Sequence, residues 1–167
     1  MDNKALYILA GYDGLTENRL ADIQNRLYDQ GFTGTHTKQI PQHITLGSFP
    51  VDQEQELIDL VQKTAETTAP FSVVFNHIGV FPGGKVLFIA PDINRALLEL
   101  KECFGDSHGW TPHTTMLIDE PDLILKALPE VVQNFSSFEG TVSSLHLYEF
   151  FPTRHILSVV LQGSTNR

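Results

Sequence analysis

The stretch PQHITLGSF at residues 41–49 decides the fold, because it predicts a short strand with two different faces. Alternate side chains of a β-strand point to opposite sides, so residues two apart share a face and lie about 6.6 Å apart along the chain. His43 and Thr45 are therefore expected on one side, with Ile44 and Leu46 on the other. Such a strand has one face for a hydrophobic core and one face that can bind or react.

The same arrangement occurs a second time. WTPHTTMLI at residues 110–118 places His113 and Thr115 two apart, and His113 follows His43 by 70 residues (113 − 43). One such strand is ordinary, whereas two in a chain of 167 residues need a common explanation.

The elements around these strands also recur in order. Hydrophobic periodicity, capping residues and turn residues predict the following elements: strand 5–10, helix 15–30, strand 41–48, helix 52–65 capped by Asp52, strands 71–81 and 85–91 around the turn 82–84, a helix from Asp92 or Asn94 to Phe104, strand 110–118, helix 119–134 kinked or divided by Pro129, strand 138–150 and strand 155–163. Each half then has the order helix, His-x-Thr strand, helix, strand, turn, strand.

This order predicts an α+β fold made by duplication. The repeat halves cover about 36–91 and 106–163 within a single domain of residues 1–167. We expect two intertwined lobes related by a pseudo-twofold axis, with antiparallel sheets lining a central cleft and helices outside.

Composition limits the classes of partner. The formal net charge is −9, which disfavours sequence-independent binding to duplex DNA, because such binding needs many Lys and Arg contacts to phosphates. The single cysteine, Cys103, permits neither an intramolecular disulfide nor a Cys-rich zinc site. No stretch has the roughly 18 apolar residues of a membrane span, and the apolar run 5–10 is too short for a signal peptide. We expect a cytoplasmic monomer.

The two His-x-Thr strands suit acid–base chemistry on phosphorus. Pseudo-twofold packing would bring His43, Thr45, His113 and Thr115, here called the His/Thr quartet, together across the cleft. A hydroxyl can donate to a phosphoryl oxygen, and a histidine with a pKa near 6.5 can act as base or acid near neutral pH. In-line attack needs a base on the incoming oxygen and an acid on the leaving oxygen, and a twofold pair of histidines supplies both.

PQHITL and TPHTTM resemble the paired H-x-[ST]-x-hydrophobic signature of the 2H phosphoesterase superfamily, the family of 2′–5′ RNA ligases and RNA 2′,3′-cyclic phosphodiesterases. The similarity covers nearly the whole chain, including FSVVFNHIGVFPGGKVLFIA after the first motif. The resemblance implies that the His/Thr quartet is catalytic and that neither a metal nor another cofactor is required. The chain lacks the basic patch of many RNA-processing relatives, which favours a nucleotide or short RNA end over a polynucleotide.

Other residues keep two interpretations. Lys85 and Arg154 can neutralise phosphate at the cleft mouth or be solvated strand ends. Phe49, Phe81 and Tyr148 can stack a base or belong to the core. The remaining histidines show no shared pattern and are expected at the surface or in hydrogen bonds: His36, His77, His108, His146 and His155. Asp119 and Glu120 are expected to cap the next helix, and tightly spaced zinc ligands are absent from the sequence.

The predicted function is the opening of a 2′,3′-cyclic phosphate, or the cleavage or joining of a 2′–5′ phosphodiester. His113 is assigned as the base on water and His43 as the acid on the leaving ribose oxygen. The alternative is a non-catalytic nucleotide-binding module that uses the same cleft.

Overall fold

The computed structural model describes residues 4–164. Its elements follow one another in the order β1 (Ala5–Tyr12), α1 (Gly14–Asp29), β2 (His43–Phe49), a 3₁₀ turn (Val51–Gln53), α2 (Glu54–Thr67), β3 (Phe71–Val80), β4 (Val86–Pro91), α3 (Arg95–Glu102), β5 (Thr114–Ile118), α4 (Pro121–Asn134), β6 (Phe138–Phe150) and β7 (Arg154–Val160). None of the helices within residues 4–164 is long and apolar enough to cross a membrane.

The strands form one antiparallel sheet. Its order is β2-β1-β6-β3-β4-β5, and β7 pairs with β6. The predicted α+β class with antiparallel strands is confirmed, but the strands join one continuous sheet and not two. The reason is the length of β6, which pairs with β1 over its second part and with β3 over Phe138–Val142.

The sheet order is symmetric about the β6–β3 pair. From each edge, the order is a His-x-Thr strand, then the strand before it in the chain, then a third strand: β2-β1-β6 from one side and β5-β4-β3 from the other. The matching units in the sheet therefore begin at β1 and β4, whereas the sequence pattern placed them at 36–91 and 106–163. That pattern also matched β4 with β7, yet β4 lies between β3 and β5 while β7 pairs with β6.

Aromatic packing holds the centre of the sheet together. Phe75 of β3 is fully buried, stacks on Phe138 with ring centroids 5.0 Å apart, and meets Tyr12 edge-on at 5.5 Å. These rings join β1, β3 and β6 in the hydrophobic core. Burial of large aromatic side chains is a major stabilising contribution in a domain of this size.

Helix α1 is fixed to the sheet at its first turn. Asp13 caps it by accepting a hydrogen bond from the Thr16 backbone N–H at 2.9 Å, and the Thr16 hydroxyl accepts one from the Thr141 N–H at 2.9 Å. A Cβ on Gly140 would lie only 2.6 Å from the Thr16 methyl carbon, so glycine permits this close approach. The start of α1 is thereby held against β6.

Two details of the helices differ from the sequence-based expectation. Helix α4 continues through Pro129 as one helix. The carbonyl left without the Pro129 N–H belongs to Leu125, which is 65% exposed, so water can satisfy that carbonyl. Asp52 lies in a 3₁₀ turn before α2 and does not cap it, whereas Asn94 caps α3 by accepting from the Leu97 N–H.

Candidate active site

The His/Thr quartet lies on one face of the two edge strands. His43 begins β2, and His113 directly precedes β5. The residues between and beyond them, Ile44, Leu46 and Met116, are completely buried in the core. Alternation therefore turns the quartet away from the core, as the two motifs predict.

Both imidazoles are held by the same kind of hydrogen bond. Nδ1 of His43 lies 2.7 Å from the carbonyl oxygen of Pro41, and Nδ1 of His113 lies 2.8 Å from the carbonyl oxygen of Thr111. A carbonyl oxygen can only accept, so Nδ1 carries the proton and donates it in each ring. Nε2 of each ring is then left to accept or transfer a proton.

Side-chain hydrogen bonds join the two edge strands. The Thr114 hydroxyl donates to the His43 carbonyl oxygen at 3.0 Å, and Tyr12 Oη lies 2.6 Å from the same hydroxyl oxygen. Thr114 has one hydroxyl proton, so Tyr12 is the donor to Thr114. A second link is the Trp110 indole N–H, which donates to the Thr45 carbonyl oxygen at 3.1 Å. These bonds bring the two motifs together, although β2 and β5 lie at opposite ends of the sheet.

We expect the Thr114 link to contribute measurably to stability. Thr114→Val leaves the His43 carbonyl without this donor and the buried Tyr12 hydroxyl without its acceptor, so the free energy of unfolding should fall by about 1–3 kcal/mol. Tyr12→Phe should cost less, because Thr114 can still donate to His43. Urea denaturation of both variants measures the two effects, and a Thr114→Val loss no larger than that of Tyr12→Phe would contradict the proposed direction of the bonds.

Helix α1 fixes the segment in front of His43. The Gln42 backbone N–H donates to Glu17 Oε1 at 3.0 Å, and its side-chain amide donates to Gln24 Oε1 at 2.7 Å. Gln24 in turn donates to the Met116 carbonyl oxygen of β5 at 3.0 Å. Burial raises the pKa of the Glu17 carboxyl, and the hydrogen bond from Gln42 partly opposes that rise.

The quartet is shared between two adjoining hollows. The larger, of about 630 Å³, contains His43, Thr45 and Thr115, and it extends to helix α1 and the loop 35–42. The smaller, of about 340 Å³, contains Thr45 and His113 together with Phe81 and Trp110. Thr45 borders both, so the two hollows adjoin at this residue.

Burial lowers the pKa of both histidines. For His43 the largest cause is desolvation, opposed by the hydrogen bond to Pro41 and reinforced by the charge of His113. For His113 desolvation again dominates and the hydrogen bond to Thr111 opposes it. Because the charge of His113 acts on His43, protonation of one imidazole disfavours protonation of the other.

The two cations predicted near phosphate do not lie with the quartet. Lys85 precedes β4 at the end of β5 remote from His113 and pairs with Glu120 at 3.3 Å. Arg154 pairs with Glu54 and Glu149 and does not border either hollow. The sequence pattern placed these cations at strand ends correctly but could not show which end of the sheet they occupy.

Of the three predicted base-stacking aromatics, Phe81 lies at the site. Its ring meets the His113 imidazole edge-on with centroids 4.7 Å apart. Phe49 packs against the hydrophobic core, and Tyr148 is 8% exposed and stacked on Phe150 at 5.7 Å. Phe49 therefore matches the core alternative, whereas Tyr148 is buried on the face of β6 that also carries His146 and Phe150.

Other aromatic residues at the larger hollow were not predicted. Tyr7, Phe150 and Phe151 border it, and the Tyr7 and Phe150 rings meet edge-on at 5.2 Å. The loop 35–42 adds Lys38, whose ammonium lies 4.9 Å from the centre of the Tyr28 ring. Tyr7 was detectable from the alternation of β1, because it shares a face with Leu9 and Gly11.

His146 was expected at the surface or in hydrogen bonds, and its ring does contact the hydroxyls of Ser144 and Ser158. It lies on β6 close enough to His43 for that residue's charge to lower its pKa. Alternation in SSLHLYEF predicts this placement, because Leu145 and Leu147 are completely buried on the core side. The alternation of β6 was therefore the signal in the sequence that places His146 on the face opposite the core.

Within residues 4–164, no group of three or more His, Cys, Asp or Glu side chains is arranged to hold a metal ion. Glu120 is the N-cap residue of α4, though its side chain forms no capping hydrogen bond there. The Asp119 carboxylate accepts from the Glu120 backbone N–H at 2.8 Å. Both acids therefore belong to the start of this helix.

Comparison with known proteins gives one family and one fold. A model of the family described as the 2′-5′ RNA ligase superfamily matches residues 14–150. TT0787 of Thermus thermophilus is 16% identical with a TM-score of 0.62, covering 95% of this chain and 98% of its own. E. coli LigT complexed with ATP is 15% identical with a TM-score of 0.60, covering 95% and 97%. LigT complexed with 3′-AMP is 14% identical with a TM-score of 0.59, covering 95% and 97%. No curated protein sequence matches the chain.

Proposed function

Because the chain belongs to the 2′-5′ RNA ligase superfamily, we propose that it is a metal-independent phosphoesterase that uses two histidines as acid and base. Its substrate is a nucleotide or short RNA end. The reaction opens a 2′,3′-cyclic phosphate, or cleaves or joins a 2′–5′ phosphodiester.

One observation carries the proposal: the two motifs hold their imidazoles in the same way. His43 and His113 each donate Nδ1–H to the backbone carbonyl two residues earlier. The fixed tautomer leaves Nε2 of each ring to accept or transfer a proton, and in the proposed reaction both atoms face the phosphate. A structural histidine needs no such matched partner, whereas attack on phosphorus needs two proton-transfer groups.

In the hydrolytic direction, His113 removes a proton from water while the water oxygen bonds to phosphorus. The phosphorus–oxygen bond to the ribose breaks, and His43 gives its proton to the released oxygen. Thr45 and Thr115 donate hydrogen bonds to the remaining phosphoryl oxygens, where negative charge develops. Ligation follows the same course with a ribose 5′-hydroxyl in place of water: His113 takes its proton while its oxygen bonds to the phosphorus of the cyclic phosphate, the ring bond to the 3′ oxygen breaks, and His43 protonates that oxygen, which leaves a 2′–5′ phosphodiester.

The size and charge of the site favour a small substrate. The net charge of −9 disfavours a long polyanion, and Lys85 and Arg154 are already paired with carboxylates. Solved structures of LigT contain ATP or 3′-AMP, and a nucleotide suits a hollow of about 630 Å³ bordered by Tyr7 and Phe150. The rings can stack a base while the quartet holds phosphate.

A turnover assay tests the proposal. The protein is incubated with nucleoside 2′,3′-cyclic phosphates, 2′–5′-linked dinucleotides and ADP-ribose cyclic phosphate, and products are separated by chromatography. Consumption of at least one substrate by the native protein, abolished in the His43→Ala, His113→Ala double variant, supports it. Binding of nucleotides without consumption of any substrate in the panel would favour the non-catalytic module.

We expect turnover to survive removal of metal ions. The two imidazoles supply the proton transfers and the threonine hydroxyls contact the developing charge, so no step needs a Lewis acid. The assay is repeated after dialysis against EDTA, with a Zn²⁺-dependent phosphoesterase treated in parallel to show that chelation was effective. Loss of activity that a divalent ion restores would contradict this mechanism.

A further inference from the structure

A third imidazole lies one strand away from the first motif. On β1, Leu9 pairs with Thr45 of β2 on one side and with His146 of β6 on the other. Directly cross-strand neighbours in adjacent strands share a face of the sheet. His146 therefore points to the same side of the sheet as the quartet.

The other half of the sheet has glycine at the matching place. On β4, Phe88 pairs with Thr115 of β5 on one side and with Gly79 of β3 on the other. A Cβ on Gly79 would collide with the Phe88 ring, and this ring lies 5.3 Å from the His113 imidazole. On the His113 side this position is filled by the Phe88 ring, whereas on the His43 side it holds the His146 imidazole.

Gly11, which pairs with His43, leaves room for the His146 ring. Gly11 pairs with His43 on one side and with Ser144 on the other. A Cβ at Gly11 would collide with Nε2 of His146 and with Oγ of Ser144. Both polar atoms therefore lie over Gly11, in the row of side chains that contains His43.

A hydrogen-bonded chain orients the His146 ring. Its Nδ1 lies 2.6 Å from Oγ of Ser158, which lies 2.7 Å from Nε2 of His155. Nε2 of His146 has the longer contact, 3.2 Å to Oγ of Ser144. The ring is fixed through Nδ1, and Nε2, which lies over Gly11, has the longer of the two contacts.

His146 differs from the motif histidines in charge. Burial, followed by the charges of His43 and His155, lowers its pKa to about 4. The His146 imidazole is therefore neutral near pH 7. A neutral imidazole adds little charge at phosphate but forms good hydrogen bonds with ribose oxygens.

We propose that His146 is a specificity-determining residue that hydrogen-bonds through Nε2 to the ribose beside His43 and so selects which ribose oxygen leaves phosphorus. The assignment rests on the proposed function. Turning the ribose over exchanges its 2′ and 3′ oxygens at His43 without moving the phosphate. A hydrogen bond on the His43 side alone makes the two orientations of the ribose unequal in free energy. The Phe88 ring beside His113 cannot form such a bond.

The isomer ratio of the products tests the assignment. With 2′,3′-cyclic AMP, ³¹P NMR measures how much 2′-phosphate and 3′-phosphate each variant forms. We expect the native protein to give one isomer in excess. His146→Phe fills the same space without the hydrogen bond and should change the ratio by about tenfold towards parity. His146→Gln places an amide nitrogen near the position of Nε2 and should keep the preference.

Controls separate this inference from folding and from the proposed function. His108→Ala removes an exposed histidine of the loop before β5 and should keep both rate and ratio. If His146→Phe does not fold, Ser158→Ala removes the exposed hydroxyl that orients the ring and should shift the ratio in the same direction. An unchanged ratio in a folded variant overturns the assignment alone. No turnover of any cyclic nucleotide by the native protein overturns the proposed function and the assignment with it.

Discussion

His43→Ala and His113→Ala are each expected to lower kcat by on the order of 10²–10⁴, the usual scale for losing one positioned proton-transfer group. Each substitution removes the Nε2 that gives or takes a proton, while the backbone carbonyl that held the ring is free to bind water. Both variants should fold, because the two side chains point away from the core. Single-turnover and steady-state rates with the best substrate of the panel measure the loss.

The double variant distinguishes a catalytic pair from two independent residues. If one imidazole works only when the other is present, removing both should cost far less than the product of the single losses. His108→Ala is the matched control and should retain native turnover. Should His43→Ala and His113→Ala keep most activity with native circular dichroism, the two-histidine mechanism is wrong.

The sequence was informative wherever a local pattern determines the structure. Strict alternation placed His43 and Thr45 opposite Ile44 and Leu46, and this needs no knowledge of neighbouring strands. Pairing is different, because β4 and β7 have similar apolar patterns but different partners in the sheet. Which strand a segment joins depends on the fit of the whole fold.

The surroundings of the quartet were harder to predict for the same reason. Arg154 precedes a strand much as Lys85 does, but its partners Glu54 and Glu149 come from separate parts of the chain. The His146 ring lies over Gly11, which is far away in sequence and has no side chain to collide with it. Contacts of this kind follow from the register of three strands, which no single segment encodes.

The pH dependence of kcat/KM should be bell-shaped with its maximum below pH 6.5. The base must be neutral, so the rate rises with pH until the base has lost its proton; the acid must be protonated, so the rate falls once the acid has lost its proton. Burial lowers the pKa of both His43 and His113 below the ordinary value of 6.5. Both limbs therefore lie on the acidic side, and above the maximum kcat/KM should approach a tenfold fall per pH unit.

Substrate should move the profile in a known direction. A bound phosphodiester is negatively charged and favours the imidazolium form, so it raises the pKa of both histidines. The maximum of kcat, which reports the enzyme–substrate complex, is then expected at higher pH than that of kcat/KM. The two profiles are measured on the same substrate at constant ionic strength, because screening weakens this effect.

The single variants assign acid and base through the limb that each one loses. If His43 is the acid, residual activity of His43→Ala no longer falls at high pH, and that of His113→Ala no longer falls at low pH. The opposite pattern would exchange the two roles and leave the mechanism intact. In the native protein both limbs of the pH profile belong to the coupled pair of histidines, and each single variant shows which histidine is responsible for which limb. A kcat/KM that keeps rising through pH 8 in the native protein would contradict the lowered pKa values, and with them the claim that buried imidazoles carry the protons.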